Sequence, residues 1–289
     1  MGSEEVYVSG EFVPRGEAKV SPFDRGFLYG DGLFETVRIV SGVPFRLEQH
    51  TARMNGSCKA LGWGRALRGA ELRKAAAALI ERNQVSDGYL RITASRGLYD
   101  GNLAGLGVHS PTVVIEARRM ELPELEAPPD YALARCPYIV DASWPLVGHK
   151  TLSYQGYILA LAEGRRRGAD EVYFVNSQGH VTEGAIANIF FVRSGTVCTA
   201  EDACGLLPGV TRAAVIELCE SEGLALRSGR FTPEDLAGAD EAFCTNSLRG
   251  VVKVSRLPDP PQAEYGEAPV TEALRRVYAA LVRAECAGD

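Results

Sequence analysis

The sequence predicts an α/β protein built as two lobes. Three observations lead there: a length of 289 residues, strand-like and helix-like stretches that succeed one another throughout, and one proline- and charge-rich segment near the middle. A chain of this length can bury a substantial core, as one large domain or two packed ones. The segment RMELPELEAPPD, residues 119–130, holds three prolines and shows no sustained periodicity, which marks it as a linker. It separates a smaller N-terminal α/β domain, residues 1–118, from a larger C-terminal one, residues 131–289.

In the first half, EVYVSGEFVP reads as a hairpin, with Val6 and Val8 alternating before a Ser-Gly turn. The glycine-rich stretch FLYGDG leads into a strand, LFETVRIV, which SGVP closes. Leu47, Thr51, Met54, Cys58 and Leu61 recur at helical spacing, and ELRKAAAALIERN is a second helix of strong formers. YLRITASRG and TVVIEAR are two further strands. Beyond the linker come a strand (YALARCPYIV), an irregular loop (DASWPLVGHK) and a helix from about Tyr154 to Arg167. The strands EVYFVN and NIFFV follow, then a helix opening at LPGVTR, strands at EAFCTN and VVKVS, and a C-terminal helix from about Thr271. No internal repeat or low-complexity tract interrupts this order.

Composition excludes several classes of function. A formal charge of -6 with dispersed basic residues offers no footprint for a nucleic-acid backbone. No run of roughly 18 apolar residues occurs, and the start MGSEEVYVSG is acidic where a signal peptide would be basic, so neither a membrane nor export is expected. The expected location is the cytoplasm. Seven scattered cysteines without a C-x-x-C pair fit buried reduced thiols. His50, His109, His149 and His180 lack ligand spacing, and no metal is expected.

Only five of the 31 basic residues are lysines, so each can be weighed separately. Lys19 precedes a strand-loop boundary, Lys59 and Lys74 lie on amphipathic helices, and Lys253 is in a strand with polar neighbours. Lys150 ends a Trp-Pro-Leu-Val-Gly-His loop and is expected to open a helix. There, desolvation and the positive end of the helix dipole both disfavour its ammonium form, as a nucleophilic lysine requires. An ordinary loop lysine is the alternative.

Two other segments carry candidate chemistry. In VTEGAIANIFFV, Glu183 is either a cap of a turn or helix, or a carboxylate that keeps a pyridine nitrogen protonated. In LLPGVTRAAVIELCE, Pro-Gly-Val-Thr begins an apolar-periodic helix whose exposed amides suit a phosphate. Gly209 and Thr211 also suit an ordinary helix start.

Together, SPFDRGFLYGDGLFETVR, the EQHTARM helix, HKTLSY, VTEGAIANIFFV and LPGVTR occur in the order and approximate spacing of the class IV aminotransferases. The chain resembles this family, the fold-type IV pyridoxal-phosphate enzymes, over nearly its whole length. The resemblance implies a two-lobed fold of the D-amino-acid aminotransferase type and pyridoxal 5'-phosphate as cofactor. It makes Lys150 the lysine that carries the cofactor as a Schiff base, Glu183 the partner of the pyridine nitrogen and Arg53 a phosphate ligand. Tyr154, one helical turn beyond Lys150 on this reading, would bond the cofactor's phenolic oxygen. Val210 and Thr211 would bind the phosphate, with Ser247 completing the cup. A solvated helix arginine is the alternative for Arg53. Family members are usually homodimers acting on a small amino substrate.

Within the family, Phe34-Glu35-Thr36-Val37-Arg38 stands where branched-chain enzymes usually have Phe-Glu-Gly-Ile-Arg. Thr36, TNSLRGVVKVS and Ser95-Arg96-Gly97 look like the 4-amino-4-deoxychorismate lyases, which form 4-aminobenzoate and pyruvate. GLYDGNLAGLG lacks both the extra arginine frequent in lyases and the histidine-containing stretch of D-amino-acid enzymes. The resemblance to the lyases makes Lys150 the general base, Thr36 an aid near the leaving group, and Arg91 and Arg96 partners of substrate carboxylates. Exposed strand arginines are the alternative for those two. A transaminase acting on branched-chain L-amino acids or D-amino acids with a 2-keto acid acceptor is the other activity, and a cofactor-binding protein without turnover a third.

Overall fold

The computed structural model describes residues 4–64, 67–106 and 110–287. His109 lies outside the described residues. The chain divides into two compact units. The first comprises residues 1–122, 149–154 and 282–289, and the second residues 123–148 and 155–281. The division thus differs from a single cut at residues 119–130: Lys150 and the chain end cluster with the N-terminal unit. For the Lys150 segment the physical reason is main-chain pairing to a strand of the first unit, described below.

In the first unit, β1 (Glu5–Val8) and β2 (Glu11–Pro14) form the hairpin, and Ser9 and Gly10 both take positive φ in its two-residue turn. A short helix, α1 (Arg25–Tyr29), is capped by Asp24 and ends at Gly30 in the left-handed region. Then follow β3 (Gly32–Val40), β4 (Val43–Pro44), α2 (Leu47–Ala60), α3 (Gly69–Arg82), β5 (Gly88–Ser95) and β6 (Thr112–Arg119). The strands form one antiparallel sheet in the order β2-β1-β6-β5-β3-β4. Period-2 alternation sends Leu33, Val37, Ile39, Leu90, Ile92, Ala94 and Ile115 into the core. Met54, Cys58, Leu72, Ala76 and Leu79, at helical spacing on α2 and α3, join the same core. Phe34, Thr36 and Arg91 therefore share the opposite face, since Thr36 pairs with Arg91 across β3 and β5.

Because β4 pairs only with Ile39 and Val40, the other end of β3 keeps an edge for a further strand segment. Residues 150–152 take it. Phe34 N donates to Lys150 O at 2.9 Å, Leu152 N donates to Gly32 O at 2.9 Å, and Leu33 bridges Thr151. A side chain at Gly32 would collide with Leu152 and with the Ala94 carbonyl, so only glycine permits this approach.

The second unit contains β7 (Tyr131–Val140), α4 (Gln155–Arg166), β8 (Glu171–Asn176), β9 (Val181–Gly184), β10 (Asn188–Arg193), β11 (Thr196–Ala200) and α5 (Val210–Ser221). It continues with β12 (Leu226–Gly229), α6 (Pro233–Ala237), β13 (Glu241–Asn246), β14 (Gly250–Leu257), β15 (Ala263–Glu264) and α7 (Pro269–Cys286), whose residues from Val282 onward belong to the first unit. The sheet order is β12-β11-β10-β13-β14-β7-β8-β9, with β15 beside β14. β9 also pairs with β10, where Asn188 lies opposite Glu183, so the run from β10 to β9 closes on itself. β9, β11, β12, α6 and β15 are additions to the elements expected from sequence. They are two to five residues long and carry too few residues to show a period.

All seven cysteines are free and buried. No described helix is long and apolar enough to cross a membrane.

Candidate active site

Lys150 does not open a helix: α4 begins at Gln155, and residues 150–152 are extended alongside β3. Its amine is therefore at no helix N-terminus, and Tyr154 is not one helical turn away. Aromatic rings stand against the amine. Lys150 Nζ lies 4.5 Å from the Phe34 ring centroid and 5.7 Å from that of Tyr154, and the two rings meet edge to face at 5.3 Å. The Arg91 guanidinium stacks 4.1 Å from the same Phe34 centroid. Burial pulls the Arg91 guanidinium below its ordinary value, with Glu116 and tyrosines Tyr89 and Tyr154 acting against the shift. Among the sequence-derived candidates, Lys150, Tyr154, Thr36, Arg53, Arg91 and Arg96 thus belong to the first unit.

Arg53 is not a solvated helix arginine. It projects from α2 into a bidentate pair with Glu35, Nε to Oε1 at 2.9 Å and Nη2 to Oε2 at 2.6 Å. His50, one turn earlier, places Nδ1 2.7 Å from Glu35 Oε2. Glu35 and His50 are each 1% exposed. Burial works to raise the Glu35 pKa, but the Arg53 charge and the hydrogen bonds from His50 and Arg53 outweigh it and hold it at about 2. Burial lowers the His50 pKa, so the ring is neutral near pH 7 and Nδ1–H is the donor to the carboxylate. Glu35 and His50 were absent from the sequence-derived site. A signal existed: in the alternation Leu33, Glu35, Val37, Ile39 the carboxylate stands at an inward position, where an unpaired charge is not tolerated.

In the second unit, Glu183 lies in β9, so it is not a helix cap. Its Oε2 accepts Leu207 N–H at 2.9 Å, and the Tyr157 hydroxyl donates to Oε1 at 3.5 Å. Burial, reinforced by the Glu183 charge, raises the Tyr157 pKa. Asn188 Nδ2 donates to Leu207 O at 2.9 Å, so both main-chain groups of Leu207 are held. Two residues on, Gly209 is the N-cap of α5 and contributes no side-chain cap, with Val210 and Thr211 as the first helical residues. A Cβ at Gly209 would collide with Asn188 Oδ1, which ties this helix start to glycine. Ser247 lies in the turn between β13 and β14, where Asn246 Oδ1 accepts from Leu248 N and Arg249 N.

Arg96, expected as a partner of a substrate carboxylate, is instead held by the protein's own groups. Its Nε binds Asp31 at 2.9 Å, Nη1 donates to the carbonyls of Gly62 and Leu106, and Nη2 donates to that of Leu61. Asp31 is shared with Arg25, which also reaches the carbonyls of Asn102 and Leu103. At 5% side-chain exposure, Arg96 is a clamp for residues 97–106 rather than a ligand for a substrate carboxylate. Arg96→Ala is expected to lower stability by about 3 kcal/mol, the usual cost of removing one partner from a buried ion pair. A urea midpoint unchanged from wild type would contradict the clamp.

The residues fit pyridoxal phosphate by their chemistry. An amine against aromatic faces suits its aldehyde, a largely buried carboxylate suits its pyridinium, and an uncapped helix N-terminus suits its phosphate. Comparison with known proteins agrees. The family model for amino-transferase class IV matches residues 32–257. A provisionally named branched-chain-amino-acid aminotransferase of Methanocaldococcus jannaschii is 34% identical over 258 residues, 88% of each chain. The aminodeoxychorismate lyase of Bacillus subtilis is 31% identical over 280 residues, 94% of this chain and 93% of that protein. The solved branched-chain aminotransferase of the archaeon Thermoproteus uzoniensis, with norvaline, superposes with a TM-score of 0.88 at 29% identity, covering 98% and 96% of the two chains. With two thirds and more of its length matched in each comparison, the chain belongs to the class IV aminotransferases, enzymes that use pyridoxal phosphate.

Proposed function

We propose that this protein binds pyridoxal 5'-phosphate and cleaves 4-amino-4-deoxychorismate to 4-aminobenzoate and pyruvate. The observation that carries the reading is the placement of Thr36 directly opposite Arg91, on the sheet face whose Phe34 ring touches Lys150 Nζ. When bound, the cofactor supplies an electron sink conjugated to the amine-bearing carbon of the substrate. On this reading Arg53, Val210, Thr211 and Ser247 hold the phosphate, Tyr154 the phenolic oxygen, and Glu183 keeps a proton on the ring nitrogen.

Arg91 pairs with a substrate carboxylate and orients the ring. Lys150 Nζ takes the proton from the amine-bearing carbon, and the Thr36 hydroxyl hydrogen-bonds the enolpyruvyl oxygen as its bond to the ring breaks. The ring becomes aromatic, the enolpyruvyl group leaves as enolpyruvate, and one proton, balancing the one Lys150 took, adds to its methylene carbon to give pyruvate. The likeness to the lyase of Bacillus subtilis, over 94% of this chain, supports this assignment.

Transamination is the second reading, favoured by the 34% identity to the Methanocaldococcus protein. It uses the same Lys150 to carry a proton between substrate and cofactor carbons, with a 2-keto acid as acceptor. One experiment separates the two. Incubation with an L- or D-amino acid, without a keto acid, is expected to leave the cofactor spectrum unchanged, while aminodeoxychorismate yields 4-aminobenzoate. Stoichiometric conversion to the pyridoxamine form with no 4-aminobenzoate rejects the lyase.

The same reading makes the protein a cytoplasmic homodimer. Phe23, Phe27, Leu98 and Leu103, on the first unit, are each more than 60% exposed and offer an apolar patch for a second copy.

A further inference from the structure

Beneath the turn that follows Glu183, the second unit buries another carboxylate. Glu171, the first residue of β8, is fully buried. Such a group is costly to bury unless hydrogen-bonded, and its partners are backbone amides. Oε1 accepts Val172 N–H at 2.9 Å and Ala185 N–H at 3.0 Å, and Oε2 accepts Ile186 N–H at 3.2 Å. Burial pushes the pKa up to about 7, against the pull of these three donors and of Arg165.

Two of the donors belong to the turn 184–187, which Gly184 N–H closes by donating to Ala187 O at 2.6 Å. A Cβ at Gly184 would stand 3.1 Å from Glu171 Cδ and 3.0 Å from Val172 O, so glycine lets the turn rest on the carboxylate. Glu183 precedes the turn, Asn188 follows it, and the two face each other in register. Each then grips Leu207, Glu183 through its N–H and Asn188 through its carbonyl, two residues before the N-cap of α5.

We infer that Glu171 is a positioning residue, fixing the turn 184–187 so that Glu183 and Asn188 set the approach of residues 207–209 to α5. Its consequence for cofactor binding rests on the reading of Glu183 and the α5 N-terminus given above.

The test titrates the refolded apoprotein with pyridoxal phosphate carrying ¹⁵N in the ring, in wild type, Glu171→Gln, Glu171→Asp and Glu183→Gln. Both Glu171 variants are expected to bind roughly tenfold more weakly, the lower end of what partners behind a ligand contribute. Their ring-nitrogen signal is expected to move toward the unprotonated position, as in Glu183→Gln. Folded Glu171 variants with wild-type affinity and signal, beside a Glu183→Gln that loses both, overturn the inference and leave the Glu183 assignment standing. A silent Glu183→Gln overturns the assignment itself. A measurement on wild type needs no variant to fold: hydrogen exchange at the Ala185 and Ile186 amides is expected to be slow, and open-chain rates at both overturn the inference.

Discussion

Lys150→Ala is expected to lose the borohydride-trappable cofactor adduct and to slow turnover roughly 10²- to 10⁴-fold from removal of the general base alone. The fold should survive. What holds this segment is its main chain, through Phe34 N to Lys150 O and Leu152 N to Gly32 O, and neither bond involves the amine. Lys150 is half-buried, and its Nζ lies against the Phe34 and Tyr154 rings rather than among the side chains of the Leu33, Val37 and Ile39 core, so its loss deletes chemistry without opening a hole there. Mass spectrometry of the reduced protein locates the adduct. An adduct still formed at an active-site lysine in Lys150→Ala would sink the assignment, whatever happens to activity.

The second large effect belongs to Glu35. Glu35→Gln removes the countercharge of a buried guanidinium and is expected to cost about 3–5 kcal/mol of stability. It also frees Arg53 from its bidentate restraint. If Arg53 binds the phosphate, affinity for pyridoxal phosphate should fall about tenfold, one charge-assisted contact's worth of about 1.4 kcal/mol, while phosphate-free pyridoxal binds as before. Arg53→Ala should show the same contrast. Equal losses for both ligands would place Arg53 away from the phosphate.

Acid provides an independent check on the pair. The Glu35 pKa is held near 2, below its ordinary 4.5, so its contribution to stability is present above pH 4.5 and lost as pH falls through about 2. The stability difference between wild type and Glu35→Gln should therefore shrink over that window. A difference that stays constant down to pH 2 would show that Glu35 has no depressed pKa.

Much of the architecture is legible in local pattern. The period-2 runs LFETVRIV and YLRITAS become β3 and β5 with their apolar residues inward, and the helical spacing from Leu47 to Cys58 becomes α2. Side-chain periodicity needs no partner to be recognised, because a strand or helix must turn its apolar residues to one side wherever it packs. Candidates for chemistry stand out in the sequence where residue type limits the options: a scarce lysine, a carboxylate before a buried strand, a glycine at a helix start.

Pairing across long sequence separations was not legible. Thr151 lies beside Leu33, more than a hundred residues away in the chain, and this pairing makes the Lys150 segment part of the first unit and denies it the helix expected there. Arg53 and Arg96 look alike in the sequence, one on a helix and one at a strand end. Their acidic partners set them apart, Glu35 orienting Arg53 and Asp31 drawing Arg96 into a clamp with Arg25. An arginine's role depends on which buried anion the fold brings within hydrogen-bond reach, because desolvation makes that contact binding for both charges. Periodicity encodes which face of an element is buried, while the identity of the groups that meet there is a property of the assembled sheet.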